Sequence, residues 1–311
     1  MAFDTKRFIE EQVKEMKKKV GNGIAICATS GGVDSMVCAT LTHRALGKNL
    51  IALFIDDGLM REDEPEQVAG ILRKLGIRPV ILRAHKDFFK ALKGKTDPED
   101  MRKAFRDTFY KTLGRAVKKY KARYLIQGTI AADIKETKGK IKSQHNVLSQ
   151  IGINPEKYGL TIIEPLVKLY KPDVRKVGKA LGLPKETYER MPFPGPGLAT
   201  RVVGEVTPER VRIVRRATAI VEKELKKLRP FQAFAVLLSD RATGIKNGKR
   251  AFGNIIVIRS VESENAMTAQ PTRIPYNILK KIQKRIVREI PEVVKVLYDI
   301  TPKPPSTIEY I

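Results

Sequence analysis

Five short apolar runs, each set off from the next by polar or helix-patterned sequence, constrain the fold more than any other feature of this chain. They fall at residues 24–28, 50–55, 79–82, 124–127 and 160–163. Each is nearly continuous in apolar character instead of alternating, which is the pattern of a strand buried on both faces. Helix patterns lie between them, at 36–46, 65–75 and 98–120, and a shorter one follows Pro172 over 174–181. A first helix, 5–19, carries Phe8, Ile9, Val13 and Met16 on one stripe. Strands alternating with helices imply βαβ crossovers, so the fold class expected is α/β, a doubly wound parallel sheet with helices on both faces. The connection 133–158 is polar and basic, with Gly139 and Gly152, and its length marks it as a lid or binding loop.

The pattern then changes. Pro192-Phe193-Pro194-Gly195-Pro196-Gly197 suits neither a helix nor a central strand, and residues 192–204 read as a rigid linker. Beyond it, Thr207 followed by Pro208 signals a helix start. Strands are expected at 231–238, 254–260 and 293–300, with a helix carrying Ile278, Ile282 and Ile286 before the last. The expected organisation is a nucleotide-handling domain at 1–191, the linker, and a smaller α+β domain at 205–311. One sheet with two helices leaves apolar surface uncovered, so a homodimer paired through this domain is expected.

Composition narrows the function classes. There are 60 Lys+Arg against 34 Asp+Glu, a net charge of +26. Such an excess attracts polyanions and also serves as a solvated, heat-tolerant surface; by itself it names no ligand. No run of about eighteen apolar residues is present, so no membrane span is expected. Residues 1–19 are charged and helix-like, unlike a secretory signal. Cys27 and Cys38 lack metal spacing and form no disulfide framework, so buried thiols in a reducing, cytoplasmic compartment are expected. With three histidines in the chain, a His-based metal site is not expected.

The chemistry is concentrated where the first strand meets the first crossover helix, at Ser30-Gly31-Gly32-Val33-Asp34-Ser35. Two adjacent glycines let the backbone curl and bring its N–H groups close to an anion. The helix N-terminus adds further donors and a partial positive charge. The Ser30 and Ser35 hydroxyls can donate as well, and Asp34 can hold a Mg²⁺ bridging phosphates. An ordinary turn with Asp34 as a helix cap would use the same residues. Position favours the phosphate site, because parallel sheets bind ligands at the carboxyl ends of their strands. The loop is neither a Walker A sequence nor a Gly-x-Gly-x-x-Gly turn. It resembles the Ser-Gly-Gly-x-Asp-Ser signature of the ATP pyrophosphatase superfamily, whose adenine nucleotide alpha hydrolase-like fold cleaves ATP to AMP and pyrophosphate.

Further segments resemble one branch of that superfamily, the separate ATP pyrophosphatase subunit of archaeal-type GMP synthetases. They are Asp56-Asp57-Gly58-Leu59-Met60-Arg61, Gln127-Gly128-Thr129-Ile130 with Asp133 and Glu136, Ile141-Lys142-Ser143-Gln144-His145-Asn146-Val147, and Glu164-Pro165-Leu166 with Lys171. The proline–glycine box at 192–199 and Lys303-Pro304-Pro305-Ser306-Thr307-Ile308-Glu309 complete the set. The resemblance implies that ATP and Mg²⁺ are used to adenylylate xanthosine monophosphate (XMP) at its 2-oxygen, and that ammonia then displaces AMP to give GMP. It places Ser30, Gly31, Gly32, Val33, Asp34, Ser35 and Gly128 at ATP. Catalytic roles fall to Asp34, Lys142 and Lys171, and metal contacts to Asp34, Asp133 and Glu136. Arg61, Lys303, Ile308 and Glu309 fall at XMP.

The chain departs from the pattern at Met191 and Gln144, where the family has histidine, at Pro172-Asp173, and at Gly248, where a family loop carries aspartate. Glutamine hydrolysis needs a nucleophilic Cys with a His partner. Neither cysteine sits in such a motif, so a separate glutamine amidotransferase subunit is expected as partner. A tRNA-modifying adenylating enzyme would also use the positive charge, but the tail matches a mononucleotide site and paired Cys-x-x-Cys motifs are missing.

Overall fold

The computed structural model describes residues 3–138, 160–264 and 266–311. It divides into two compact units: Met1–Asp56, Asp63–Ala84 and Asp107–Arg190 form unit 1, and Asp57–Glu62, His85–Arg106 and Met191–Ile311 form unit 2.

Unit 1 is built on five parallel strands, β1 (Ala25–Ala28), β2 (Leu50–Asp56), β3 (Pro79–Arg83), β4 (Tyr124–Ile126) and β5 (Thr161–Ile163), in the order β3-β2-β1-β4-β5. The five apolar runs of the sequence are these strands. Ala25, Ile26 and Cys27 are almost fully enclosed because β1 is flanked by β2 and β4 and covered by helices. Helices Thr5–Val20 and Val33–Leu46 pack together, and Thr5–Val20 turns Ile9, Met16 and Val20 inward. Asp4 caps it by accepting from the Arg7 N–H, while Lys17, Lys18 and Lys19 oppose the dipole at its other end. From β1 the chain adds β2 and β3 on one side, then returns to add β4 and β5 on the other. The order therefore reverses at β1/β4, the crevice where doubly wound sheets take ligands.

Unit 2 contains β6 (Gln232–Lys246), β7 (Lys249–Glu262), β8 (Gln270–Pro271) and β9 (Val293–Asp299). β6 and β8 run antiparallel to β7, and β9 runs parallel to it. Helix Pro208–Leu225 starts as expected, with the Thr207 hydroxyl accepting from the Arg210 N–H. It packs on one face of β6, where Thr218 accepts from the Ala235 N–H. The opposite face gathers Phe234, Val236, Val257, Val261, Ala269 and Ile308, so the C-terminal tail covers apolar surface of its own sheet.

Two features were not visible in the apolar pattern. β6 and β7 extend eight residues and five residues into a hairpin beyond the expected 231–238 and 254–260, an arm whose side chains are largely exposed. Asn247 and Gly248 both have positive φ there and close a two-residue turn, the arrangement that Asn-Gly favours. Residues 192–204, read as a linker, are packed into unit 2. A short 3-10 helix, Gly197–Arg201, buries Leu198 and Ala199, and Val202 bridges to Leu237. Gly197 is required in it, since φ is +61° and an added Cβ would stand 2.4 Å from the Leu59 carbonyl oxygen.

Candidate functional site

The loop at 30–35 leaves the end of β1 at the switch point. Gly32 is the N-cap of helix Val33–Leu46 and offers no capping side chain, so Asp34 lies inside the first turn and the turn's N–H groups have no side-chain cap. The two serines brace one another. Ser35 Oγ donates to the Gly32 carbonyl at 3.0 Å, accepts from the Ser30 N–H at 3.2 Å, and lies 3.2 Å from Ser30 Oγ. Gly31 has φ +78°, and a Cβ there would stand 2.6 Å from a Val68 methyl and 2.7 Å from the Arg190 guanidinium. Both backbone freedom and space require glycine at that position.

Gly128 follows β4 across the switch point. A Cβ on it would lie 3.2–3.3 Å from Asp34 and from the Ser35 nitrogen, so the two loops meet backbone to backbone. Lys171, in the first turn of helix Lys171–Ala180, ion-pairs with Asp34 Oδ2 at 2.5 Å. Asp34 Oδ1 is buried with no hydrogen-bond partner among the described residues. Residues 34, 128 and 171, far apart in sequence, thus converge. Nearby in the chain, Thr129 Oγ1 donates to Glu164 at 2.5 Å.

Asp133, expected at a metal, lies in the first turn of helix Ala131–Lys138. Its Oδ2 accepts the Ile130 N–H at 2.9 Å and caps helix Ala131–Lys138. Among the described residues, no three His, Cys, Asp or Glu side chains gather as a metal site. Lys142, Gln144, His145 and the Glu136 side chain lie outside the described residues.

Sequence reasoning missed Arg190. Its guanidinium pairs with Glu64, a carboxylate only 2% exposed, and donates to the Gly31 carbonyl at 3.4 Å. No local motif marks it. A charged residue just before the proline–glycine box is the one available signal.

In unit 2, Arg61 is engaged internally. Nε pairs with Glu222 at 2.8 Å, Nη2 donates to the Met191 and Pro192 carbonyls at 3.3 Å, and the guanidinium lies 4.3 Å from the Phe193 ring centre. Lys303 Nζ donates to the Ala266 carbonyl at 2.8 Å, while its backbone pairs with Ala269. Ile308 is a core residue, 8% exposed. Glu309 accepts from Arg201 Nε and Nη2, both at 3.1 Å, from Gln232 Nε2 at 2.5 Å and from Thr200 Oγ1 at 3.3 Å. Arg259, fully buried, donates to the Thr301 and Thr307 carbonyls at 2.6 and 3.0 Å and pairs with Asp299 at 3.1 Å. Neither Arg201 nor Arg259 was singled out from the sequence, yet both hold the tail.

Relatives match along the whole chain. A subunit of the glutamine-hydrolyzing GMP synthase of Archaeoglobus fulgidus is 53% identical, covering 99% of this chain and 100% of the relative. The proteins of the same name from Pyrococcus horikoshii and Methanopyrus kandleri are 52% and 50% identical, at 99% of this chain and 100% and 99% of theirs. The chain belongs to this GMP synthase subunit family. Consistent with that, the family profile "NAD synthase" matches residues 3–198, and "GMP synthase C terminal domain" matches 219–310. Among solved structures, the NH3-dependent NAD synthetase of Campylobacter jejuni aligns at a TM-score of 0.48 with 18% identity, over 62% of this chain and 80% of that one. Within the GMP synthase family, the tail at 303–309 and the loop at 30–35 thus sit in a chain matched from end to end.

Proposed function

We propose that this chain is the ATP-consuming subunit of a GMP synthase, an AMP- and pyrophosphate-forming C–N ligase that aminates XMP. The observation that carries the reading is the match at about half identity over 99% of the chain, which takes in both units. In this reading the 2-oxygen of XMP attacks the α-phosphorus of ATP and pyrophosphate departs. Ammonia then adds at C2, AMP leaves, and GMP results.

Such transfers depend on positioning and on stabilising charge as it develops. The open first turn of helix Val33–Leu46 offers N–H donors to the departing pyrophosphate, with Ser30, Gly31, Gly32, Val33 and Ser35 shaping the cradle and Gly128 closing it. Lys171, held on Asp34, brings a cation to the same place, and Lys142 is assigned the same duty from the lid. Asp34 Oδ1, buried without a donor among the described residues, fits Mg²⁺. When bound, that ion would neutralise phosphate charge. Asp133 and Glu136 are assigned as its further oxygen ligands.

At XMP, Lys303, which also donates to the Ala266 carbonyl, brings a cation to a phosphate. Glu309 accepts from purine N–H groups, and Arg61 and Ile308 are assigned to the same XMP site. Ammonia must come from a separate glutaminase. Both thiols are buried, Cys27 pushed up to about 12 by desolvation and Cys38 raised for the same first reason, so neither is a nucleophile at neutral pH.

Exposed Ile245, Phe252, Leu297 and Ile300 on the hairpin and along and just beyond β9 support a homodimer built through unit 2. The free thiols support a cytoplasmic setting. Among the described residues, no helix is long and apolar enough to cross a membrane.

The test is AMP release from ATP, Mg²⁺ and ammonium. Dependence on XMP is expected. Dependence on tRNA instead would replace this reading with the nucleic-acid one. Glutamine supporting the isolated chain as well as ammonium does would remove the separate glutaminase.

A further inference from the structure

We propose that Arg201 is a positioning residue that sets the orientation of the Glu309 carboxylate for purine recognition. The inference rests on the reading of Glu309 as an XMP ligand and adds to it the group that aims it.

Three observations meet at this carboxylate. Arg201 is fully buried, and its fork meets both oxygens, Nε to Oε2 and Nη2 to Oε1, each at 3.1 Å. The guanidinium also lies over two rings, 4.0 Å from the centre of Phe234 and 4.9 Å from that of Phe193, which restrict its orientation. Gln232, 4% exposed, adds a second donor to Oε1 at 2.5 Å, while the Thr200 hydroxyl, which donates to the Gly197 carbonyl at 3.0 Å, stands 3.3 Å from Oε2.

A free glutamate turns about its side-chain bonds, and part of any binding energy is lost in stopping that rotation. Glu309 has already been stopped. Oε1 is filled from the protein side, and Oε2 takes one firm donor while the side chain keeps 22% of its exposure, so the acceptor site left on Oε2 points in a set direction. An acceptor-only group of fixed direction selects a base edge that donates. Xanthine carries ring N–H donors and satisfies it. Adenine has no ring N–H on its N1 edge and offers only the exocyclic amine beside an N1 that accepts.

A tail clamp of purely structural value would make the same contacts, so the test must separate the two. Arg201→Lys keeps the buried charge but loses the fork. The KM for XMP should rise about ten-fold or more, the scale of a lost charge-assisted bond, with kcat at saturating XMP and the KM for ATP within about two-fold. Introduced into Glu309→Gln, the same change should add less than about two-fold, because its effect travels through the carboxylate. Gln232→Leu, touching the same carboxylate from β6, should raise the KM for XMP in the same selective way and covers the case in which Arg201→Lys does not fold.

An unchanged KM in folded variants would overturn the proposal. So would parallel losses at ATP and XMP, or full additivity with Glu309→Gln. Wild-type chain that neither binds XMP in calorimetry nor releases AMP in its presence would remove the functional reading itself. A normal wild type with indifferent variants removes the positioning role alone.

Discussion

The loop at 30–35 and the tail at 303–309 are each assigned to hold a nucleotide, yet they are built from opposite materials. The loop is backbone, with two glycines, an uncapped helix start and a pair of serines bonded to each other within six residues. The tail is held by side chains from elsewhere, Arg201, Gln232 and Arg259, each dozens of residues away in sequence. A backbone site depends on local conformation and fails through strain or through loss of its one carboxylate. A side-chain site depends on long-range pairs and fails through an unpaired charge.

The sharpest way to break this comparison is Asp34→Ala. It removes the partner of Lys171 and the buried Oδ1 together. Pyrophosphate release should fall by about a thousand-fold or more, while calorimetric XMP binding stays at the wild-type value. Loss of XMP binding in the same variant would show that the two sites are not independent in the way their construction implies.

Lys303→Ala is the converse. It should raise the KM for XMP by roughly ten- to a hundred-fold, the range of a charged hydrogen bond to phosphate, and leave the KM for ATP in place. Equal effects on both substrates would undo the division of labour. Gly128→Ala comes next. The added methyl would press on Asp34 and the Ser35 nitrogen at 3.2–3.3 Å, contacts that yield by tenths of an ångström. A rise of only several-fold in the KM for ATP, about three to ten, is expected. An effect as large as that of Asp34→Ala would mean that the cradle tolerates no adjustment.

The same contrast explains what could be read beforehand. Strands β1 to β5 were legible to within a residue or two because each is buried on both faces and announces itself as an apolar run. The loop was legible because its chemistry is contiguous. The hairpin arm at 239–253 was not, since its strands are mostly exposed, and Gly244 and Gly253, the positions turned against Val294, carry no apolar side chain to create alternation. The Asn247-Gly248 pair was the one signal pointing to it. Helix His85–Leu92 was also passed over, a short element whose buried positions are Phe88 and Leu92. Arg201 was invisible for a different reason. A buried arginine is defined by the carboxylate it meets, and Glu309 lies 108 positions away. Likewise, the pairing of Arg61, assigned to XMP, with Glu222 cannot be inferred from spacing.

The smallest effect expected tests whether reliance on arginine–carboxylate pairs extends through unit 2. Glu289 is held down at about 2, first by the hydrogen bond from Arg285 and then by the charges of Arg285 and Arg216. Glu224 and Glu292 are also held below the ordinary carboxylate range, first by hydrogen bonds from Lys281 and Arg212 respectively. A carboxylate whose folded value lies below its unfolded one stabilises the fold fully above about pH 4.5. That contribution fades as pH falls from there towards 2. Glu289→Gln should therefore lower the melting temperature at pH 7 by on the order of 2 °C. The gap to wild type should shrink steadily below pH 4.5 and close near pH 2. A gap that persisted unchanged at pH 2.5 would mean that Glu289 contributes by shape and not by charge, and the contrast with the backbone-built loop would then belong to the tail alone.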